Sequence, residues 1–443
     1  MPLQTSPLPL ATVLQRRRDR LAELYPGPVV LWSGRAVSRN FPANVYPFRA
    51  NSHFLYFAGL PLANAAIHLE GGKLTLFKDD TSPEAALWHG PTPSRDTLAA
   101  EIGAVAAYPY KTVESYLPGA ATLPTQTAAA AAPNPALTAA LVALRLHHDD
   151  NALAEIKRAA AVSVAAHQAG MAATSRAATE AEVRAAMEQV IMAQGMTCAY
   201  NSIVTVHGEV LHNEQYHHGL APDDLLLADV GAEAPSGWAS DITRTWPVSG
   251  RFTRAQRDIY NIVLAAHDAC IAAARPGIEY RDLHLLACRT LAAGLVELGL
   301  LRGQPDALVE RDVHALFFPH GVGHLLGLDV HDMDDLGDVA GYATGRVRSD
   351  RFGLKFLRLD RPLAANMVVT IEPGFYQVPA ILDPARQSGQ YEDVINWDRL
   401  SAFEGVRGIR IEDDVQITAT GCTVLTEALP TEPDAIEAVV GTA

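Results

Sequence analysis

The sequence predicts an α+β protein of two domains, and three observations carry that expectation. At 443 residues, 49% of them hydrophobic and 19% charged, the chain is longer than a single hydrophobic core usually serves. The stretch GAATLPTQTAAAAAPNPALTAAL at 119–141 holds no charged residue and reads as a linker running into a helix. On either side of it, short apolar runs bounded by Gly and Pro alternate with helical patterns, without an internal repeat. The expected domains are 1–140, ending in the linker, and 141–443.

Taken in order, GPVVLWSG at 27–34, NAAIHLEGG at 64–72 and KLTLF at 73–77 are strand-like runs that imply a mixed sheet with helices in the first domain. In the second, Thr179 with Glu182 and Thr253 with Gln256 have the spacing of capping boxes, each opening an amphipathic helix. Pro276 and Gly277 close the second of these, and a third helix is expected over 281–298. Strands are expected at SIVTV (202–206), DLLLADVGA (224–232), MVVTIEPGF (367–375) and GIRIEDDVQI (408–417).

Composition excludes several classes of function. A net charge of −15, with no basic run beyond RRRDR at 16–20, argues against a phosphate-backbone partner. The four cysteines are far apart and never form CxxC, so neither a disulfide framework nor a thiolate zinc site is suggested, and a reducing compartment fits. No basic residue precedes Arg16, no apolar core precedes a cleavage site, and no apolar run reaches eighteen residues. The expectation is a cytoplasmic protein that engages neither nucleic acid nor membrane.

The strand-like runs share an oddity. Each carries an acid at its centre or end: Asp229 after LLLA, Glu372 after VVTI and Glu412 after RI, with Asp241 twelve residues beyond the first. An isolated buried carboxylate is too costly to keep, so such acids must be paired, hydrogen-bonded or metal-bound. One alone is most simply a salt bridge or a cap. Four together, beside the stretch FFPHGVGHLLGLDVHD at 317–332 with His320, His324 and His331, make a hard, oxygen-rich donor set. Such a set suits Mn²⁺, Co²⁺ or a pair of Zn²⁺ ions and can activate water.

These residues carry a family resemblance. DLLLADVGAEAPSGWASDITRTWPVSGRFTRAQRDIY at 224–260, HGVGHLLGLDVHD at 320–332, MVVTIEPG at 367–374 and GIRIEDDV at 408–415 resemble, in order and spacing, aminopeptidase P and prolidase, the Xaa-Pro metallopeptidases of the pita-bread fold. FRANSHFLYFAGL at 48–60 and WHG at 88–90 are similar to that family's creatinase-like amino-terminal domain. The resemblance implies five metal ligands: Asp241 and Glu412 bridging two ions, Asp229 completing one, His324 and Glu372 the other. It gives Glu372, His320, His331 and His212 catalytic roles, and places Arg358 and Arg410 at the substrate or behind the ligands. Arg410 is expected to orient Glu412 by a bidentate contact, and Arg358 to meet a free carboxylate. Two departures stand out: Asp229 and Asp241 are twelve rather than the usual eleven residues apart, which puts one extra residue in the APSG turn at 234–237, and Asn213 follows His212 where many aminopeptidases P carry an aromatic.

The implied enzyme is a hydrolase that cleaves the Xaa-Pro bond at the amino terminus of small peptides by attack of a hydroxide shared between two divalent ions, manganese with cobalt or zinc as alternatives. A homodimer or homotetramer is implied by the same resemblance. A dipeptidase of the prolidase kind is the second reading, supported by the long segments 333–366 and 375–407, which can narrow the site. A non-catalytic pita-bread binding protein is the third, and no ligand is missing that would mark it. Phe317, Phe318 and Trp238 are candidate walls for the proline ring, while Asp413 and Asp414 read as solvated or capping and His217 and His218 as surface residues.

Overall fold

The computed structural model describes residues 8–123 and 134–440. Two compact units divide between Leu153 and Ala154, with Pro235–Gly237 grouped with the first. The first unit holds a five-stranded mixed sheet in the order Ala106–Tyr108, Lys73–Lys78, Ala65–Glu70, Val29–Gly34, Ala121–Thr122. The central pairs are antiparallel and the two outer ones parallel. Val30, Ala66, Phe77 and Val113 form its core. Of the predicted linker, 124–133 lies outside the described residues. Ahead of it Ala121–Thr122 is an edge strand, and after it Asn134 caps the helix Pro135–Arg145, its Oδ1 accepting from the amides of Ala136 and Leu137.

The second unit carries the expected strands, and the three that hold a candidate acid end or break beside it. Leu225–Asp229 ends on Asp229 and pairs antiparallel with Ile203–Thr205 and Thr243–Pro247. Val368–Ile371 stops one residue before Glu372, because Pro373 has no N–H to continue the ladder. Gly408–Arg410 and Asp413–Ile417 are separate strands with Glu412 in the break between them.

Register places the acids. Asp229 stands opposite Thr243, and Val230/Ile242, Ala232/Ser240 and Ala234/Trp238 continue the same ladder by backbone hydrogen bonds of 2.9–3.0 Å. No bulge intervenes, so Asp229 and Asp241 are diagonal neighbours on one face and a lengthened turn at 235–237 leaves both in place. Ile371 stands opposite Asp413 and Gly374 opposite Arg410, which sets Glu372 directly across from Glu412. An isolated bridge between Thr243 and Glu412 joins the two ladders. The segment 322–326 runs beside 368–372, through Leu326 N to Val368 O, Thr370 N to His324 O and Glu372 N to Val322 O, and so brings His324 in.

The helix Arg254–Ala273 opens with the predicted capping box at Thr253 and Gln256, and Tyr280–Glu297 follows it. The first of these lies against the strands that flank Glu372 and Glu412. Glu180–Ala193 departs from expectation. Thr179 stands at its N-cap position but its side chain makes no cap bond, and Glu182 instead accepts from the amide of Ala178. Among the described residues no helix is long and apolar enough to cross a membrane.

Candidate metal centre

A cavity of about 690 Å³ opens in the second unit, and every sequence-predicted site residue lines it: Asp229, Asp241, His324, Glu372, Glu412, His320, His331, His212, Arg358 and Arg410. Ligand atoms of Asp241, His324 and Glu412 lie within 4.8 Å of one another. His324 Nε2 is 3.4 Å from Asp241 Oδ2 and 3.7 Å from Glu372 Oε1. Its Nδ1–H points at the Leu325 carbonyl, 3.0 Å away, which turns Nε2 toward the acids. Gly323 makes this turn possible: a Cβ there would sit 2.2 Å from the Tyr280 hydroxyl and 2.3 Å from the Thr370 carbonyl.

Four carboxylates converge here against one buried guanidinium, that of Arg410. Burial and mutual repulsion raise Asp229 to about 6 and Glu372 to about 7, and push Glu412 well above the usual carboxylate range. Asp241 is held low despite burial because it faces His324, whose own ring is lifted to about 9 by Asp241 and Glu372 against the effect of burial. A proton on His324 thus stands where a cation can stand. Like charges placed directly opposite on a sheet, as Glu372 and Glu412 are, destabilise it unless something positive lies between them. The donor set, four carboxylates and one imidazole with its second nitrogen tied down, fits two divalent cations.

The surroundings correct several expectations. Arg410 does not clasp Glu412, although both side chains line the cavity, because its guanidinium is spent on other acceptors. Its Nη2 donates to Asp229 Oδ2 at 2.6 Å, its Nη1 to the Tyr376 hydroxyl at 3.0 Å and its Nε to Thr243 Oγ1 at 3.0 Å. Thr243 in turn donates to Glu412 Oε2 at 2.6 Å, so arginine reaches that carboxylate only through a hydroxyl. The Tyr200 hydroxyl lies 2.5 Å from both Asp229 Oδ1 and Asp241 Oδ1. Sequence reasoning missed Tyr200, Thr243 and Tyr376. Only Thr243 left a trace, since it alternates with Asp241 along one strand.

The imidazoles differ from one another. Burial holds His320 neutral, its pKa down to about 3, and with Nδ1–H given to the Gly321 carbonyl its Nε2 accepts from Tyr376 at 2.8 Å. His331 stands edge-on to His324, ring centroids 4.4 Å apart, its pKa lowered by partial desolvation and by His324 although the side chain stays 36% exposed. His212 is exposed on the cavity rim. His217 is exposed, but His218 is not a free surface residue: its Nδ1 lies 2.8 Å from buried Glu180.

Arg358 lines the cavity and pairs with Asp334. Arg346 is taken by Glu279 and Asp360, Arg351 by Asp312, and Arg361 by backbone carbonyls, so none of these competes for its place. Phe317, Phe318 and Trp238 are buried and do not line the cavity; Phe352 and Phe356 do, with Arg348 and Lys355. Asp413 and Asp414 are neither solvated nor capping. Both are buried, Asp413 against Arg244, Thr426 and His267, and Asp414 accepting from the Asp241 amide.

Comparison with known proteins gives consistent matches. Residues 154–419 match "Metallopeptidase family M24" and residues 14–127 match "Aminopeptidase P, N-terminal domain". A probable Xaa-Pro aminopeptidase of Sordaria macrospora is 32% identical over 96% of this chain and 94% of its own. Aminopeptidase P from E. coli with the inhibitor Pro-Leu superposes with a TM-score of 0.81 at 28% identity, covering 97% of this chain and 98% of that one. Proline aminopeptidase P II from Yersinia pestis gives 0.80 at 29%, covering 98% and 100%.

Proposed function

Because the chain belongs to metallopeptidase family M24, with an aminopeptidase P amino-terminal domain and the pita-bread architecture, we propose that it is an Xaa-Pro aminopeptidase that holds two divalent cations on Asp229, Asp241, His324, Glu372 and Glu412. The observation that carries this reading is the register that sets Glu372 across from Glu412 and Asp229 diagonal to Asp241 in one cavity. When bound, the cations supply Lewis acidity at the scissile carbonyl and a nucleophilic water.

The chain's own residues do the rest. Glu372, 3.7 Å from both His320 Nδ1 and His324 Nε2, takes the proton of the attacking water and returns it to the leaving proline nitrogen. His331, its ring against His324 and its Nδ1 3.9 Å from Asp334 Oδ2, donates to the oxygen that gains charge. His320 is fixed by Tyr376 and Gly321 and shapes the wall. His212 stands at the rim, and Arg358, Arg348 and Lys355 face the carboxyl-terminal side of the peptide.

Manganese is the expected metal by hardness of the donor set, with cobalt and zinc as alternatives. The decisive assay offers purified protein with Mn²⁺ an Xaa-Pro dipeptide and an Xaa-Pro-Yaa tripeptide side by side. Release of Xaa from the tripeptide at the higher kcat/KM supports the aminopeptidase. Turnover of the dipeptide alone assigns a prolidase, and turnover of neither removes the catalytic reading.

A further inference from the structure

A second cluster of ligating side chains lies outside the cavity. His284 and Cys288 are four residues apart on one face of the helix Tyr280–Glu297, and His314 meets them from the short helix Val313–Leu316. Ligand atoms of all three lie within 4.8 Å of one another. His284 and Cys288 are fully buried and His314 is 2% exposed. Neither ring nitrogen of His314 makes a well-formed hydrogen bond, although the Gly353 carbonyl, which accepts from His284 Nε2 at 2.9 Å, lies nearby. A buried imidazole left without a partner calls for one.

We propose that His284, Cys288 and His314 form a second metal site, for a thiophilic d¹⁰ cation, and that Cu⁺ suits it best. The chemistry supports the assignment at each position. With its Nε2–H held by the Gly353 carbonyl, His284 has Nδ1 free to ligate; Cys288 Sγ lies 4.0 Å from Nδ1 and 3.5 Å from Nε2, so a small turn of the ring brings Nδ1 and the sulfur onto one ion. Binding releases the Cys288 thiol proton to solvent and puts the cation on the thiolate, with no change of oxidation state.

Charge selects the ion. One thiolate and two neutral imidazoles neutralise Cu⁺ completely, whereas Zn²⁺ would leave a net positive charge in a dry site. The nearby guanidiniums do not repel it strongly, since Arg351 is paired with Asp312 and Arg281 with Asp360. The site also touches the active cavity through one ring: Phe318 packs on His284 at 5.6 Å and on His320 at 4.8 Å. A CxxC search overlooks this set because only one of its three ligands is a cysteine.

The test is metal content and X-ray absorption on full-length protein produced in copper-supplemented and zinc-supplemented medium, after exhaustive dialysis against chelator. The expected result is one chelator-resistant copper per chain, with a Cu⁺ edge and a shell of one sulfur and two imidazole nitrogens. It should persist in Asp241→Asn, which disables the cavity site, and vanish in both Cys288→Ser and His314→Gln. Should Cys288→Ser not fold, the wild-type spectrum and His314→Gln decide. A sulfur-free shell, copper retained in Cys288→Ser, or no resistant equivalent overturns the site. A one-sulfur shell filled by zinc in preference to copper overturns the assignment to a monovalent ion.

Discussion

Glu412 and Asp413 are consecutive, both are 2% exposed, and they live in opposite chemical worlds. Glu412 turns into the cavity, where the Thr243 hydroxyl donates to it and three other acids press on it, so its proton is held far more tightly than usual. Asp413 turns into the core, where the Arg244 guanidinium at 2.8 Å, the Thr426 hydroxyl at 2.5 Å and His267 Nε2 at 3.0 Å outweigh the cost of burial and keep it ionised. Burial alone therefore says nothing about role. The ratio of partners to charge does: a buried acid with its cations built in is structural, and one short of them awaits a cation from outside.

The largest expected effect is that of Glu412→Ala. It should cut kcat/KM by about 10³-fold or more, the equivalent of several kcal/mol of barrier, and lower metal content. The metal-free variant should melt no lower than metal-free wild type, since it loses repulsion rather than a partner. Two full equivalents of metal in that variant would defeat the assignment. Asp413→Ala comes next, and acts on the other quantity. It strands Arg244 and His267 in the core and should cost about 3–5 kcal/mol of stability while turnover per folded molecule stays near wild type. Its neighbour Asp414, pushed to the neutral form by burial and by Asp241, should accept Asn for about 1 kcal/mol or less. Equal destabilisation by Asp413→Ala and Asp414→Asn in urea would contradict the comparison.

His331→Ala should lower kcat/KM by about 10²-fold with both metals kept. Its side chain is 36% exposed, so truncation leaves no sealed void and the melting point should hold. Normal turnover in a destabilised variant would make it a packing residue. The smallest effect concerns His267, whose pKa is raised because Asp268 and Asp413 prevail over burial. A raised folded pKa contributes stability that is complete below the unfolded value, about 6.5, and is lost as pH climbs through the folded one. The advantage of wild type over His267→Gln in thermal melts should accordingly shrink as pH rises above the unfolded value of about 6.5. An advantage that grows with pH would reverse the sign assigned to this pair.

What the sequence made legible was the chemistry that breaks a pattern. An acid inside an apolar run is visible without coordinates, and so were all four carboxylates, the imidazole His324 and the two-domain α+β layout with its mixed first sheet. What stayed hidden depended on register. That Arg410 serves Asp229 follows from the bridge that sets the strand of Arg410 beside those of Thr243 and Asp229, a pairing no composition reveals. Tyr200 and Tyr376 act through hydroxyls that arrive from distant segments, and tyrosines are too common to stand out. The same limit explains why Phe317 and Phe318 drew attention as walls although their rings point into the core, and why Asp413 and Asp414 read as solvent-facing although Arg244 and the Asp241 amide claim them.

Gly323 carries no reactive atom, yet the space beside it is filled by the Tyr280 hydroxyl and the Thr370 carbonyl. Every one of the nineteen alternatives would add at least a Cβ into that space, and so would push His324 off its line. In a saturation screen selecting for peptidase activity, position 323 should therefore be as intolerant as a ligand, with even alanine failing. His324 should be rejected for what it does, and Gly323 for what it leaves out. A survey that ranks positions by lost function alone would score the two alike, and only a measurement of metal occupancy at intact folding would tell the residue that binds from the one that makes room.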